Sequence, residues 1–120
     1  MPNTENMPKV ELIELKNTFV RVPTQKLYDR LMKIYEAGKW NWENGNLPTD
    51  YRFQVCIITH VEAKDNFNHT EQPKYYKNFN SITVNEFCQK ENIDELKQQE
   101  INKWFRYNKS NRLSLGQRLI

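Results

Sequence analysis

The sequence contains few of the residues that build phosphate loops, disulfide scaffolds and membrane spans. Its three glycines stand at positions 38, 45 and 116, so no Gly-rich phosphate-binding or dinucleotide-binding fingerprint can occur. Two cysteines, Cys56 and Cys88, are too few for a secreted disulfide scaffold. The longest apolar run, residues 55–58, is far shorter than the roughly 20 residues of a membrane-spanning helix. The polar N-terminus also lacks the apolar core of a secretory signal, so we expect a cytoplasmic protein with no membrane partner.

The length and the aromatic content predict one folded domain with one hydrophobic core. A chain of 120 residues lies in the single-domain range. Three Trp, six Tyr and six Phe argue against a disordered chain. We expect a flexible leader over residues 1–8, a single α+β domain over 9–107, and a basic C-terminal arm over 108–120.

Acidic residues are absent from the last twenty positions. The chain has 18 Lys and Arg against 15 Asp and Glu, but all 15 acids lie within residues 1–100. Two interpretations are open: a solvated helix end whose cations complement the helix dipole, or a surface for an anionic partner. The basic residues of this segment are Lys103, Arg106, Lys109, Arg112 and Arg118.

Hydrophobic periodicity places the main elements. Residues 10–22 and 51–61 alternate apolar and polar side chains and predict strands, with Tyr51, Phe53, Val55, Ile57 and Thr59 on the core face of the second. An apolar stripe at helical spacing predicts a helix over 25–37, after Thr24 as N-cap and before Gly38. The capping-box pattern Thr83-x-x-Glu86 predicts a short helix over 84–90. Asp94 then precedes a helix over 95–107 with a stripe of Leu96, Ile101, Trp104 and Phe105. The predicted fold is α+β: a small antiparallel or mixed sheet packed on one main helix, with two C-terminal helices and a basic tail.

The residue types that carry catalysis and metal binding form no recognisable constellation. The spacing of Cys56, His60, His69 and Cys88 matches no zinc pattern. On an extended strand Cys56 and His60 would lie about 13 Å apart, too far for two ligands of one ion. Nothing in the sequence brings a histidine to Cys88 as a base. We therefore predict a protein that is not an enzyme, with no metal and no cofactor.

Two segments combine aromatic residues in patterns that can serve binding. Trp40 and Trp42 flank Asn41, and on an extended segment both indoles would form one surface able to stack nucleobases. The alternative is that both pack on helix 25–37 and close the core; we expect one indole to be buried and the other partly exposed. Residues 103–109 (KWFRYNK) interleave aromatics with cations, a composition typical of nucleic-acid contacts, with Tyr107 among the candidates. Trp104 and Phe105 are expected to anchor this helix in the core.

Several short motifs resemble those of small accessory proteins encoded by bacteriophages and prophages. They are Phe19-Val20-Arg21-Val22, Tyr35-Glu36-Ala37-Gly38, Trp40-Asn41-Trp42-Glu43-Asn44-Gly45, Tyr75-Tyr76-Lys77 and Ile82-Thr83-Val84-Asn85-Glu86-Phe87. The resemblance covers about residues 10–90 and assigns no functional residue. Some small phage proteins of this size sequester a nucleotide signal or block a host nuclease complex.

The resemblance implies an accessory protein that inhibits a host system, such as a defence system, by stoichiometric binding. Its partner would be a host protein, a nucleoprotein complex or a nucleotide. The basic C-terminal end supports an alternative, a nucleic-acid-binding protein. Candidate binding residues from the sequence are Trp40, Trp42, Lys103, Arg106, Tyr107, Lys109, Arg112 and Arg118.

Overall fold

A mixed four-stranded sheet and three helices make up the fold. The computed structural model describes residues 7–54, 57–73 and 78–119, and for 109–119 it describes only the helix backbone. The strands lie in the order β3-β2-β1-β4, in which β1 and β4 are parallel and the other pairs antiparallel. The predicted α+β class is confirmed. The elements are β1 (Thr18–Arg21), α1 (Gln25–Ala37), a 3-10 turn (Pro48–Asp50), β2 (His60–Glu62), β3 (His69–Thr70), β4 (Asn80–Thr83), α2 (Val84–Lys90) and α3 (Glu95–Leu119).

The helix α1 has the bounds that its apolar period predicts. Thr24 is extended and its side chain accepts a hydrogen bond from the Leu27 amide at 3.2 Å, which satisfies one of the free N–H groups of the first turn. Gly38 follows the helix with φ −83°, outside the left-handed region. A Cβ at Gly38 would lie 2.3 Å from Leu12 Cδ1, so the missing side chain lets the N-terminal segment pack on the end of the helix.

The core lies between the sheet and α1. Val20 of β1 pairs with Val61 of β2 on one side and with Ile82 of β4 on the other, and all three side chains are buried. This row supplies the sheet's contribution to the core, because side chains in register on neighbouring strands lie on the same face. The helix contributes its buried face, comprising Tyr28, Leu31, Met32, Ile34, Tyr35 and Ala37.

Both predicted strands are too long. In the first, the ladder is confined to β1, and Lys16 and Asn17 form a turn in which Asn17 has φ 51°. Before that turn Val10, Leu12 and Leu15 pack against the core without strand pairing. The alternating pattern therefore reports burial of alternate side chains, which a segment can achieve without a partner strand.

Among the described residues of 51–61, the second strand prediction holds only at His60 and Val61. Ile57 and Ile58 both lie in a turn in which their amides donate to the Gln54 carbonyl, at 3.1 and 2.9 Å. The turn reverses the predicted alternation, so Ile57 is 48% exposed and Ile58 only 1% exposed. Val55 and Cys56 lie outside the described residues, as does the motif Tyr75-Tyr76-Lys77.

The C-terminal helices begin where their caps predict. Thr83 and Glu86 form the predicted capping box of α2, and Asp94 Oδ1 accepts a hydrogen bond from the Lys97 amide at 2.8 Å at the start of α3. Leu96, predicted to face the core, is 70% exposed. The predicted helix end at 107 is wrong, because α3 continues to Leu119. No proline interrupts this stretch, and helical hydrogen bonding continues without the apolar stripe on which the prediction relied.

A single arginine on α1 joins all three helices. The Arg30 guanidinium donates from Nη1 to Asn85 Oδ1 of α2 at 2.7 Å and from Nε to Gln98 Oε1 of α3 at 3.2 Å. Its Nη2 lies 3.5 Å from Cys88 Sγ. The planar fork of donors reaches three partners at once, which a lysine ammonium on a flexible stem does less well. Arg30 therefore fixes how α2 and α3 sit on α1.

A buried carboxylate fixes the N-terminal segment to the end of α2. Glu91 is 7% exposed, and its Oε1 accepts a hydrogen bond from the Ile13 amide at 2.8 Å. Its Oε2 is buried without a hydrogen-bond partner among the described residues. Burial raises the pKa of Glu91, and the Ile13 amide opposes that rise.

Candidate functional site

The two tryptophans predicted as a binding surface are both core residues. Trp40 and Trp42 are 6% and 3% exposed, so the expected aromatic surface, and the expected split between one buried and one exposed indole, are wrong. The Trp42 ring packs on Phe67 with 4.3 Å between ring centroids, and its Nε1 donates to the Pro48 carbonyl at 3.1 Å. Trp42 also forms a β-bridge with Phe67, which joins the main chain of this segment to the chain before β3. The alternative interpretation is confirmed in that both indoles are buried in the core. Trp40 packs on Tyr35 of α1 as that interpretation expected, whereas the ring contacts of Trp42 are to Tyr51, Phe67 and His69 outside the helix.

Three of the predicted basic-end residues lie together on the solvent side of α3. Lys103, Arg106 and Tyr107 are exposed, and Tyr107 is 60% exposed, while Ile101 and Phe105 face the core. At 3.6 residues per turn, the three exposed positions fall within an arc of about 100°. The structure thus brings these two cations and one aromatic ring onto one side of the helix.

The remaining predicted cations are placed on the same helix by its backbone alone. Lys109, Arg112 and Arg118 are positions of α3, but their side chains lie outside the described residues. At 1.5 Å per residue, positions 103 and 118 are about 22 Å apart along the axis. The predicted basic C-terminal arm over 108–120 is therefore helical as far as Leu119.

A groove missed by the sequence analysis adjoins this part of α3. It lies between α1, the chain around the 3-10 turn, and α3, and it has a volume of about 660 Å³. Arg106 belongs both to its lining and to the exposed basic side of α3. The groove is lined by charged and aromatic side chains: the cations Lys33, Arg52 and Arg106, the acids Asp29 and Asp50, and the aromatics Tyr28, Tyr51, Phe53 and Phe105.

Hydrogen bonds to α1 hold the wall of the groove in place. Glu36 Oε1 accepts from the Thr49 hydroxyl at 2.6 Å and from the Thr49 amide at 3.2 Å, which fixes the 3-10 turn to the helix. The Tyr28 hydroxyl donates to the Tyr51 carbonyl at 2.7 Å. Burial raises the pKa of Tyr28, and Asp29 raises it further, so this hydroxyl remains a donor to higher pH than an exposed tyrosine would.

Two half-buried aromatic rings of the wall are backed by core residues. Tyr51 packs against Trp42 with ring centroids 4.8 Å apart, and Phe53 packs against Tyr28 at 5.1 Å. Each ring is therefore fixed by packing on a buried aromatic residue, while its side chain remains only half-buried. With Arg52 between them, the sequence Tyr51-Arg52-Phe53 repeats the aromatic–cation alternation seen at 103–107. That alternation is the sequence signal by which Tyr51, Arg52 and Phe53 could have been predicted as binding residues. The prediction of a strand over 51–61 assigned them to the sheet instead.

The described cysteine has the environment of a structural thiol. Cys88 is free and buried, and burial raises its pKa more than the neighbouring Arg30 lowers it. A thiol with a raised pKa is a poor nucleophile at neutral pH. Cys56, the other cysteine of the chain, lies outside the described residues. Across residues 7–54, 57–73 and 78–108, no three His, Cys, Asp or Glu side chains cluster closely enough to hold a metal ion.

Comparisons with known proteins identified no relative of this chain. The chain matches no protein-family model, and searches of curated proteins and of solved structures found no significant similarity. No helix in the described part of the chain has both the length and the apolar character needed to cross a membrane. The resemblance to phage accessory proteins stays a prediction, and the functional proposal rests on the groove and on α3.

Proposed function

We propose that this protein acts by binding nucleic acid, with the solvent side of α3 as its main contact surface. The observation that supports this most strongly is the exposure of Lys103, Arg106 and Tyr107 together on one side of a helix. No acid follows Glu100 along that helix. The dipole of the helix accounts for cations near its C-terminal end only, since its effect fades within the last turn. Lys103 and Arg106 lie three turns or more before Leu119, so the dipole does not explain them.

Nucleic acid is the anionic partner that fits this surface best. Each cation that neutralises a phosphate releases a condensed counterion, which drives binding whatever the sequence. Tyr107 adds an exposed ring beside the cations, and aromatic rings stack on nucleobases. The basic positions of α3 are spaced along the helix axis, which suits a ligand whose phosphates repeat along a backbone.

The groove favours a second candidate function, the binding of a nucleotide. Its volume of about 660 Å³ lies within the roughly 300–1,000 Å³ range of small-molecule sites. Arg52 and Arg106 are suited to phosphate, and Tyr51 and Phe53 to a base. In this form the protein would be an accessory protein of a phage or mobile element that inhibits a host defence system by stoichiometric binding, as the resemblance implies. Isothermal titration calorimetry with nucleoside monophosphates, nucleoside diphosphates and cyclic dinucleotides tests this second candidate. We expect the wild-type protein to give heat of binding and Arg52→Ala to lose it.

The nucleic-acid proposal is tested by charge reversal on α3. Fluorescence anisotropy with labelled mixed-sequence oligonucleotides, single-stranded and duplex, measures Kd at low salt. We expect Lys103→Glu/Arg106→Glu to bind at least about tenfold more weakly than wild type, since two phosphate contacts become repulsive. Lys26→Glu is the matched control, because Lys26 is exposed on α1 outside the groove lining.

Circular dichroism melts show whether the reversed variant is folded. A folded variant with wild-type affinity would contradict the proposal, and so would a wild-type protein that binds none of the oligonucleotides. A pull-down from bacterial lysate with mass spectrometry separates the remaining partner classes. Recovery of a host protein complex without nucleic acid would instead favour an accessory protein that inhibits a host system by stoichiometric binding.

A further inference from the structure

We infer that the nucleic acid recognised is single-stranded, and that one of its bases enters the groove beside α3. This inference rests on the proposed function and names the form of its ligand. Its starting point is Arg106, which belongs to both surfaces. A ligand whose phosphates contact the solvent side of α3 therefore passes the mouth of the groove.

The groove offers a base the contacts that base recognition needs. Tyr51 and Phe53 are half-buried, and their rings pack on Trp42 and on Tyr28, respectively. Rings already fixed by packing lose little freedom when a base stacks on them. Tyr51 and Phe53, which flank Arg52 in the chain, thus bring two aromatic side chains and a cation into the lining of one groove.

The acidic residues of the groove favour a base rather than a phosphate as its occupant. Asp29 and Asp50 line the groove together with the cations. Asp29 is engaged by Gln25, whose amide donates to its Oδ1 at 2.8 Å. A phosphate beside Asp29 and Asp50 would be repelled by their carboxylates, whereas the exocyclic amino groups of bases are hydrogen-bonded well by carboxylate oxygens. The charges therefore favour a base inside and phosphates at the Arg52 and Arg106 positions.

A duplex cannot use this arrangement. Its bases are stacked and paired, so only their edges are reachable, and entry of a whole base requires unpairing and unstacking. An unpaired strand presents its bases without that cost, which is why aromatic surfaces beside cationic grooves are typical of single-strand binding. The rival geometry, α3 in the major groove of a duplex, would leave Tyr51 and Phe53 without a role.

The test compares one oligonucleotide sequence in two forms. Anisotropy at low salt measures Kd for a labelled 12-nucleotide DNA strand, the matching RNA strand, and the 12-base-pair DNA duplex. We expect at least one single strand to bind about tenfold or more tightly than the duplex. Phe53→Leu keeps an apolar side chain against Tyr28 but removes the flat ring, and Arg52→Ala removes the central cation.

Each groove variant should weaken single-strand binding by at least about fivefold and leave duplex binding unchanged. Lys26→Ala, which removes an exposed cation outside the groove, should alter neither. Equal affinity for both forms, tighter binding of the duplex, or no effect of either groove variant would overturn this inference while the proposed function stands. Failure to bind any of the three ligands would overturn both.

Discussion

Replacement of Trp42 tests most directly whether the Trp40–Trp42 segment is core or binding surface. The Trp42 side chain is 3% exposed, its ring packs on Phe67 and Tyr51, and its Nε1 donates to the Pro48 carbonyl. Truncation of a buried Trp to Ala costs about 3–5 kcal/mol in the free energy of unfolding. The carbonyl left without its donor adds to the cost, by about 1–3 kcal/mol where water cannot reach it. For Trp42→Ala we therefore expect a loss of at least about 3 kcal/mol.

Trp42→Phe separates the two contributions. Phenylalanine retains most of the ring contacts but has no N–H, so we expect an intermediate loss of about 1–3 kcal/mol. Trp40→Ala is the matched comparison, and since Trp40 is also buried it should cost about 3–5 kcal/mol.

Urea unfolding followed by far-UV circular dichroism measures all three free energies. A domain of this length is stable by about 6–18 kcal/mol at typical values per residue, so these losses are large enough to resolve. A loss below about 1 kcal/mol for Trp42→Ala, or loss of oligonucleotide binding without loss of stability, would refute the assignment of Trp42 to the core.

Two further predictions concern the polar groups that fix the helices and the N-terminal segment. Arg30→Met removes the hydrogen bonds to Asn85 and Gln98, so we expect a loss of about 1–3 kcal/mol in unfolding free energy, against a change below about 0.5 kcal/mol for the exposed Lys26→Met. Equal effects of the two substitutions would show that the guanidinium does not join the helices. Burial raises the pKa of Glu91, so the folded protein keeps that proton to higher pH than the unfolded chain. The stability of wild type relative to Glu91→Gln should therefore fall as pH rises from 4 to 7, and a difference that is flat or rises would contradict this pKa shift.

The elements that the sequence predicts correctly are those closed by local hydrogen bonds. Thr24 caps α1 through an amide three residues away, and the Thr83–Glu86 pair closes the first turn of α2 on itself. Such contacts form between neighbours in the chain, so a short pattern contains all the information needed. The end of α3 was missed because helix propagation needs no apolar stripe once the helix has started.

The strand errors and the missed groove have a common physical cause. A strand exists only where a distant segment pairs with it, and alternation within 51–61 says nothing about whether such a segment is present. The groove is built from three segments, represented by Asp29, Arg52 and Arg106, that are far apart in the chain and meet only in the fold. The exposed part of the basic site could be predicted because Lys103, Arg106 and Tyr107 need only one helix to bring them together.

The salt dependence of oligonucleotide binding tests the central claim, that cations of α3 contact nucleic-acid phosphates. For a single-stranded ligand, log Kobs should fall linearly with log salt concentration, with a slope of about −0.7 per phosphate neutralised. Lys103→Gln/Arg106→Gln removes two cations without introducing repulsion, so its slope should be shallower than that of wild type by about 1.4. The Lys26→Gln control should retain the wild-type slope. Binding that is insensitive to salt, or a double variant with the wild-type slope, would contradict the account.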